Sequence, residues 1–171
     1  MSVLKTVVTV FNKNRKKTPI RIFFGDDLVS YETNPKFLGI IFDQNLSFAK
    51  HTDTICIRAR RRLNMLSSMK GKKWGLSSEL MIASYKVLIR SIFDYSSLIL
   101  ITIAPTTLNK FAILQNKAIR ISTYWPPGTT TTEMLNKTNL EPLKIRSFCL
   151  IVNYLNKSLI HNTAIGSLLE E

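Results

Sequence analysis

The chain has 171 residues, of which 45% are hydrophobic, so it can bury one core and carry an attached subdomain. Its 24 Lys/Arg and 11 Asp/Glu give a formal net charge of +13, which favours an anionic partner, although basic side chains that only solvate a surface would give the same total. Residues 1–73 hold 15 basic and 5 acidic residues, a net of +10, so we expect a polyanion to meet the N-terminal half.

The first 46 residues are predicted to be a small antiparallel β region. Runs of β-branched and aromatic residues predict strands on both sides of a basic loop at 12–19, within the ranges 3–11, 20–24, 28–31 and 36–43. The N-terminus lacks the long apolar core of a secretory signal. We therefore expect an intracellular protein, nuclear or cytoplasmic, that is not secreted.

From residue 47 onward the apolar spacing becomes helical. Residues 48–69 predict an amphipathic basic helix, ended near Gly71, whose inward side chains are Ile55, Ala59, Leu63, Leu66 and Met69. His51 is interpreted as a cap or surface residue. Trp74, which follows the helix, is interpreted as a packing residue, with base stacking as the alternative.

A second helix is predicted after a cap at Ser77 or Ser78, with an inward face of Leu80, Ala83, Val87, Leu88 and Ile92. The apolar stretch 87–104 contains Arg90 and Asp94, which are costly at bilayer depth, so we expect a buried helix running into an extended segment rather than a membrane span. A third helix is predicted after Pro105.

The third helix is expected to begin with Thr106 or Thr107 as its cap and to point Leu108, Phe111, Leu114, Ala118 and Ile121 inward. Its polar residues Gln115, Lys117 and Arg120 are assigned to packing, with RNA contact as the alternative. Residues 125–130 mark a subdomain boundary, followed by a short helix and a longer one introduced by Pro142. Cys56 and Cys149 are interpreted as reduced core thiols, because neither stands in a CxxC motif.

The segment Gly25-Asp26-Asp27 has the form of a metal-binding hairpin of a polymerase, where two carboxylates would suit Mg²⁺. The competing interpretation is a surface turn with Gly25 at positive φ. A two-metal site also needs an earlier aspartate, and residues 1–25 contain no acidic residue. We therefore favour the turn and assign no catalytic or metal-binding residue.

Four short blocks occur in a telling order: LeuLysThr at 4–6, LysPheLeuGlyIleIlePheAsp at 36–43, ArgAlaArgArgArgLeu at 58–63 and LeuGlnAsnLysAlaIleArgIle at 114–121. Together they resemble the reverse transcriptases of jockey-like non-LTR retrotransposons, from the end of the palm through the thumb into the connector. The resemblance implies an α+β fold with a palm-end β region at 1–46 that includes a primer-grip-like hairpin, a helical thumb at 47–125 and a helical connector at 126–171.

The resemblance also implies roles for particular residues. In the intact enzyme Lys5 would lie near the incoming triphosphate, but without the upstream palm we expect it to be a solvated lysine at a strand end. The expected nucleic-acid contacts are Lys36, Gly39, Arg58, Arg60, Arg61, Arg62, Lys70, Lys72 and Lys73. Gly39 permits close approach of a sugar-phosphate strand, although an ordinary bulged strand would also use glycine. The arginines and lysines would bind phosphates without regard to sequence.

The function that the resemblance implies is that of a fragment of an RNA-directed DNA polymerase, which keeps the thumb that binds an RNA/DNA template-primer duplex but lacks the palm aspartates. Such a fragment is expected to be inactive alone, to hold no cofactor although the intact enzyme uses Mg²⁺, and to bind no small-molecule substrate or membrane. A separate palm and fingers segment would be its protein partner. The alternatives are a stand-alone basic nucleic-acid-binding protein and a non-functional relic.

Overall fold

The computed structural model describes residues 6–12, 20–71 and 75–160. Six two-residue strands form three pairs in this part of the chain: β1 (Val7–Val8) with β4 (Ser30–Tyr31), β2 (Phe23–Phe24) with β3 (Asp27–Leu28), and β5 (Lys36–Phe37) with β6 (Ile40–Ile41). Helices occupy most of the rest, so the predicted α+β class is confirmed. The β1–β4 pair is parallel, unlike the other two. The long stretch between β1 and β4 makes this possible, since a parallel pair needs a crossover of about a dozen residues or more.

Both antiparallel pairs are hairpins with two-residue turns. Gly25 has φ +64°, as the surface-turn interpretation requires, and it occupies the first turn position, where type II′ hairpins place glycine. In the β5–β6 turn, Leu38 has φ 45° and Gly39 has φ 83°. Two successive positive φ angles define a type I′ turn, which suits glycine but costs leucine about 1 kcal/mol.

Asp43 stabilises the loop that leads into the first helix. Its carboxylate accepts hydrogen bonds from the backbone amides of Asn45 (3.1 Å), Ser47 (3.0 Å) and Phe48 (2.5 Å). Burial alone would raise the pKa of Asp43, but these hydrogen bonds outweigh it and hold the pKa below its ordinary value of 3.8. The ring of Phe48 packs edge-on against Phe42, with 5.7 Å between the centroids.

Helix α1 (Ala49–Ser68) follows the predicted bounds closely. Its buried hydrophobic residues repeat at helical spacing, and they are Ile55, Cys56, Ala59, Leu63 and Leu66. His51 is also buried, so its assignment to a cap or surface position is wrong. Its Nδ1 accepts the backbone N–H of Ile41 at 3.3 Å, which attaches the β5–β6 hairpin to the start of α1.

Residues 78–102 form an almost continuous run of helix: α2 (Ser78–Tyr85), a π-helical turn (Lys86–Arg90), α3 (Ser91–Tyr95) and α4 (Ser97–Thr102). Ser77 caps it by accepting the N–H of Leu80, as predicted. The predicted extended segment after this helix is wrong, because α4 occupies it. No helix among the described residues is long and apolar enough to span a bilayer.

The predicted inward face of the second helix is also wrong in part. Leu80 and Val87 are 55% and 69% exposed, whereas the buried side chains are Met81, Tyr85, Ile89, Ile92 and Phe93. This helix is apolar on nearly every side, so spacing alone does not select a face. Packing against the next helix selects the face that begins with Met81, whose carbonyl accepts the hydroxyl of Ser122 at 3.3 Å.

Helix α5 (Pro105–Thr123) begins with Pro105 at its first position, and Ala104 rather than a threonine stands at the cap. Proline suits this place because its missing N–H would have no partner within the helix. Phe111 packs perpendicular to Phe93 with 5.2 Å between ring centroids. The predicted inward residues Leu114 and Ala118 are buried, and Leu108 and Ile121 are half-buried.

The last two described helices are α6 (Thr131–Thr138) and α7 (Leu143–Ile160). They lie close to the two helices predicted there. Thr130 and Glu133 form a capping box at the start of α6. Helix α7 packs against α3 and α4. Cys56 is buried, as expected for a core thiol, but Cys149 on α7 is exposed, so its assignment to the core is wrong.

Four charged residues join α3 and the π-helical turn to α7 and to the segment just before it. The buried Arg90 contacts Glu141 at 2.8 Å, and Arg146 contacts Asp94 at 3.2 Å and Glu141 at 4.0 Å. Burial raises the pKa of the neighbouring Tyr85 phenol above its ordinary value, so the phenol is neutral throughout the physiological range. Contacts divide the chain into two compact units, Met1–Thr54 and the helical unit Ile55–Glu171. The predicted division at 46 and 125 concerns functional parts and stays a prediction.

Candidate nucleic-acid interface

The exposed side of α1 carries three arginines. Arg58, Arg60 and Arg61 are exposed, and no hydrogen bond or ion pair links them to another described residue. The buried residues Ala59 and Leu63 hold the opposite side of the helix in the core. At about 100° per residue, Arg58 and Arg61 lie about 60° apart around the axis, while Arg60 lies about 160° from Arg58. The three guanidinium groups therefore cover a broad solvent-facing arc.

Arg62 differs from its neighbours on this helix. It is half-buried, and its Nη1 donates a 2.6 Å hydrogen bond to the backbone carbonyl of Leu88 in the π-helical turn. A charged donor on a partly buried carbonyl forms one of the stronger hydrogen bonds found in proteins. Arg62 thus joins α1 to the next helical run, a role that its place in a run of arginines does not indicate.

The local charge of α1 is strongly positive. Arg58, Arg60, Arg61 and Arg62 follow one another within five residues, and Asp53 is the only acidic residue between Ala49 and Ser68. A helix with this density of positive charge attracts phosphates that lie within about one Debye length, which is about 8–10 Å at physiological salt. The face can bind a polyanion electrostatically, and arginine forks can then contact individual phosphates.

The β5–β6 hairpin presents the other predicted contact residues, Lys36 and Gly39. Lys36 is exposed on β5, and Gly39 forms the second turn position. Between them the tip exposes two large apolar side chains, Phe37 at 66% and Leu38 at 73%. Leu38 therefore combines a strained backbone with an exposed apolar side chain. Packing in a core does not explain this combination.

A third basic site consists of Lys70 and the end of α5. The ammonium of Lys70 lies 4.6 Å from the centroid of the Tyr124 ring, and the Tyr124 hydroxyl donates to the carbonyl of Leu76 at 3.0 Å. A side chain at Gly75 would come within 2.5 Å of the carbonyl oxygen of Gly71, so the two glycines approach closely. Of the predicted contact residues, Lys5, Lys72 and Lys73 lie outside the described residues, as does Trp74.

The acidic turn does not fit a two-metal site. Asp26 and Asp27 are exposed at the β2–β3 hairpin, and no group of three or more His, Cys, Asp or Glu side chains placed to hold a metal ion occurs among the described residues. Two Mg²⁺ ions need carboxylates that converge from more than one strand. Asp26 and Asp27 both lie on one hairpin and do not by themselves supply such a set.

Two curated proteins share sequence with the chain. It is 27% identical over 117 residues to the "Probable RNA-directed DNA polymerase from transposon BS" of Drosophila melanogaster, a match that covers 67% of this chain and 13% of that protein. It is 28% identical over 93 residues to the "RNA-directed DNA polymerase from mobile element jockey" of Drosophila funebris, which covers 54% of this chain and 10% of that protein. The predicted resemblance to reverse transcriptases of jockey-like elements is confirmed.

The chain spans about a tenth of the length of these reverse transcriptases. No protein-family model matches it, and no solved structure matches it. The likeness to the two transposon polymerases therefore comes from sequence alone, and the geometry above comes from the fold of this chain.

The structural roles of three residues were missed from the sequence: His51, Asp43 and Arg62. Each acts through the backbone of a residue that is distant along the chain or in a loop, so hydrophobic spacing gives no signal for it. Asp43 had the clearest signal, because an aspartate in a turn often accepts the backbone amide two residues further on, as it does here from Asn45.

Proposed function

We propose that this chain is the thumb-like, template-primer-binding part of a reverse transcriptase from a jockey-like element. The observation that carries the proposal is the arc of exposed arginines on α1, Arg58, Arg60 and Arg61, on a helix whose other side is buried in a core. The likeness to two transposon polymerases supports the choice of a polymerase over other nucleic-acid-binding proteins.

Binding by this face would depend on phosphates rather than bases. Each arginine that neutralises a phosphate releases condensed counterions, which gives affinity without sequence preference. An RNA/DNA hybrid with A-like geometry has a wide, shallow minor groove, across which a basic helix can contact both backbones. A polymerase that copies every sequence needs contacts of this kind.

The β5–β6 hairpin is proposed to hold the primer strand. Lys36 supplies a positive charge beside the turn, and Gly39 leaves room for a sugar-phosphate backbone to approach. The exposed Phe37 and Leu38 would pack against sugars or against neighbouring protein in the intact enzyme. The type I′ turn keeps the tip narrow, which suits insertion against a strand.

The palm and fingers of the same enzyme are the proposed protein partner. The β region exposes several large apolar side chains, which are Ile20, Ile22, Phe23, Phe24 and Leu28. Apolar clusters of this kind are typical of surfaces that pack against other protein. In this proposal the Mg²⁺-binding aspartates belong to the palm, and the chain by itself does not polymerise.

The proposal is tested by the affinity for a blunt RNA/DNA hybrid, measured by fluorescence anisotropy with several unrelated sequences. The double variant Arg58→Gln/Arg61→Gln removes two neighbouring charges from α1. The matched control, Lys144→Gln/Lys157→Gln, removes two exposed charges from α7. We expect tight, sequence-blind binding that the arginine variant weakens at least tenfold and the control changes by less than about twofold, since distant charges are screened.

Equal losses in the two variants would overturn the assignment to α1, because binding would then depend on total charge alone. A folded chain that binds no hybrid would favour the relic interpretation. Tight hybrid binding by a chain that does not associate with an added palm and fingers segment of a related polymerase would favour a stand-alone nucleic-acid-binding protein. Arg60→Gln, tested separately, reports whether the far side of the arc also contacts phosphates.

A further inference from the structure

A cavity lies between the start of α2 and the ends of α5 and α6. It has a volume of about 370 Å³ and is lined by Ser78, Glu79, Ile82, Thr123, Trp125, Lys137 and Thr138. Ligand pockets in proteins range from about 300 to 1,000 Å³, so this one suits a single small ligand. All seven residues lie in the helical unit, and none of the α1 arginines takes part.

Two consecutive aromatic residues at the end of α5 each have a lysine at the ring. The ammonium of Lys137 lies 5.5 Å from the Trp125 centroid, and that of Lys70 lies 4.6 Å from the Tyr124 centroid. Tyr124 adopts φ 58°, which ends α5 and turns the chain so that both rings leave the helix in succession. Of these two ring–lysine pairs, Trp125 and Lys137 line the cavity.

The two threonine hydroxyl groups in the pocket already use their protons. Thr123 donates to the carbonyl of Ile119 at 2.9 Å, and Thr138 donates to that of Met134 at 2.6 Å. Each oxygen is therefore left to the pocket as a hydrogen-bond acceptor. Together with the carboxylate of Glu79, these oxygens make the polar part of the pocket rich in acceptors.

We propose that this cavity, the Trp125 pocket, binds an unpaired nucleotide of a single-stranded nucleic acid. The indole of Trp125 supplies a face on which a base stacks, and Lys137 contacts a phosphate beside it. The acceptor-rich polar groups favour bases with exocyclic amino groups, namely adenine, cytosine and guanine, over uracil, which has no amino group. The site is separate from the proposed duplex-binding face on α1 and does not depend on it.

The inference is tested by tryptophan fluorescence. The chain has two tryptophans, so the variant Trp74→Phe leaves Trp125 as the sole reporter. The probes are an eight-residue oligoadenylate, an oligouridylate of the same length and a blunt RNA/DNA hybrid. We expect the oligoadenylate to quench Trp125 in a saturable way, the oligouridylate to bind more weakly, and the hybrid to leave the emission unchanged.

Two pairs of variants locate the contact by anisotropy with labelled oligoadenylate. In the first pair, Trp125→Leu removes the stacking face, and its control Tyr154→Leu removes an exposed aromatic ring from α7. In the second pair, Lys137→Gln removes a charge at the pocket, and its control Lys144→Gln removes an exposed charge from α7. One stacked base is worth about fivefold to a hundredfold in affinity, so Trp125→Leu should weaken oligoadenylate binding by at least fivefold. Because Lys137 is exposed, its variant keeps the fold and tests the site even where Trp125→Leu disturbs packing.

The inference is overturned if oligoadenylate binds without quenching Trp125, or if the pocket variants and their controls lose affinity equally. Failure to bind oligoadenylate at all would overturn it as well. Blunt-hybrid affinity, measured on the same samples, reports the proposed function independently. Hybrid binding without oligoadenylate binding would remove only the pocket, and the opposite result would remove only the duplex-binding role of α1.

Discussion

Replacing Arg62 with glutamine should destabilise the helical unit, whereas replacing the adjacent Arg61 should not. The two residues have the same chemistry and stand side by side on α1. Only Arg62 is half-buried with a hydrogen bond to the Leu88 carbonyl, at 2.6 Å. The comparison therefore separates an arginine that holds the fold from one that is available to a phosphate.

The size of the effect follows from that hydrogen bond. A hydrogen bond to a charged group contributes about 1.5–3 kcal/mol, and partial exposure of Arg62 to water reduces this to about 1–2 kcal/mol. A substitution at an exposed position such as Arg61 changes the free energy of unfolding by about 0.5 kcal/mol or less. With a urea m-value of about 2 kcal/mol/M, the Arg62→Gln midpoint should fall by about 0.5–1 M.

Urea unfolding followed by helical circular dichroism measures both variants under the same conditions. Equal midpoints for Arg62→Gln and Arg61→Gln would refute the structural role of Arg62. An Arg62→Gln variant of unchanged stability but with weakened hybrid binding would instead place Arg62 with the phosphate-binding residues.

Three other changes have predicted outcomes. His51→Ala should cost about 2–3 kcal/mol of unfolding free energy, since it leaves a cavity and removes the acceptor of the Ile41 amide, whose hydrogen exchange measured by NMR should quicken. The folded-state pKa of Asp43 is lowered, so its carboxylate stabilises the fold fully above the ordinary pKa of 3.8 and loses that effect as the pH falls through the lowered value; Asp43→Asn should flatten the acid limb of a stability-pH profile. Glu141→Ala should cost about 2–3 kcal/mol in urea unfolding, because it leaves the buried Arg90 without its carboxylate. An unchanged exchange rate, an unchanged acid limb or an unchanged midpoint would contradict the respective prediction.

The sequence predicted helices well where one side is polar and the other apolar. Helix α1 has arginines opposite Ala59 and Leu63, so its bounds and its buried side both follow from the spacing. The run that begins with α2 lacks that contrast. Leu80 and Val87 are as apolar as Met81 and Ile89, and only the packing of α2 against α5 decides which of them are buried.

Contacts between residues that are distant along the chain, or that lie in irregular segments, could not be predicted from the sequence. His51 looked like a surface residue because one histidine carries no periodic signal, yet it accepts an amide from the β5–β6 hairpin. The cap of α5 was misplaced because threonines follow Pro105, although proline itself marks the first helical position. The exposed arginines of the candidate interface, by contrast, could be found from their density in the sequence.

The central claim is that arginines on α1 bind the phosphates of a template-primer duplex, and the most direct test is the salt dependence of hybrid binding. The logarithm of the association constant is plotted against the logarithm of salt concentration for the wild-type chain and for Arg58→Gln/Arg61→Gln. Each lost phosphate contact lowers the slope by about 0.7–0.9, so the variant should be shallower by about 1.5–2. Parallel lines for the two proteins would show that these arginines do not contact phosphates and would contradict the claim.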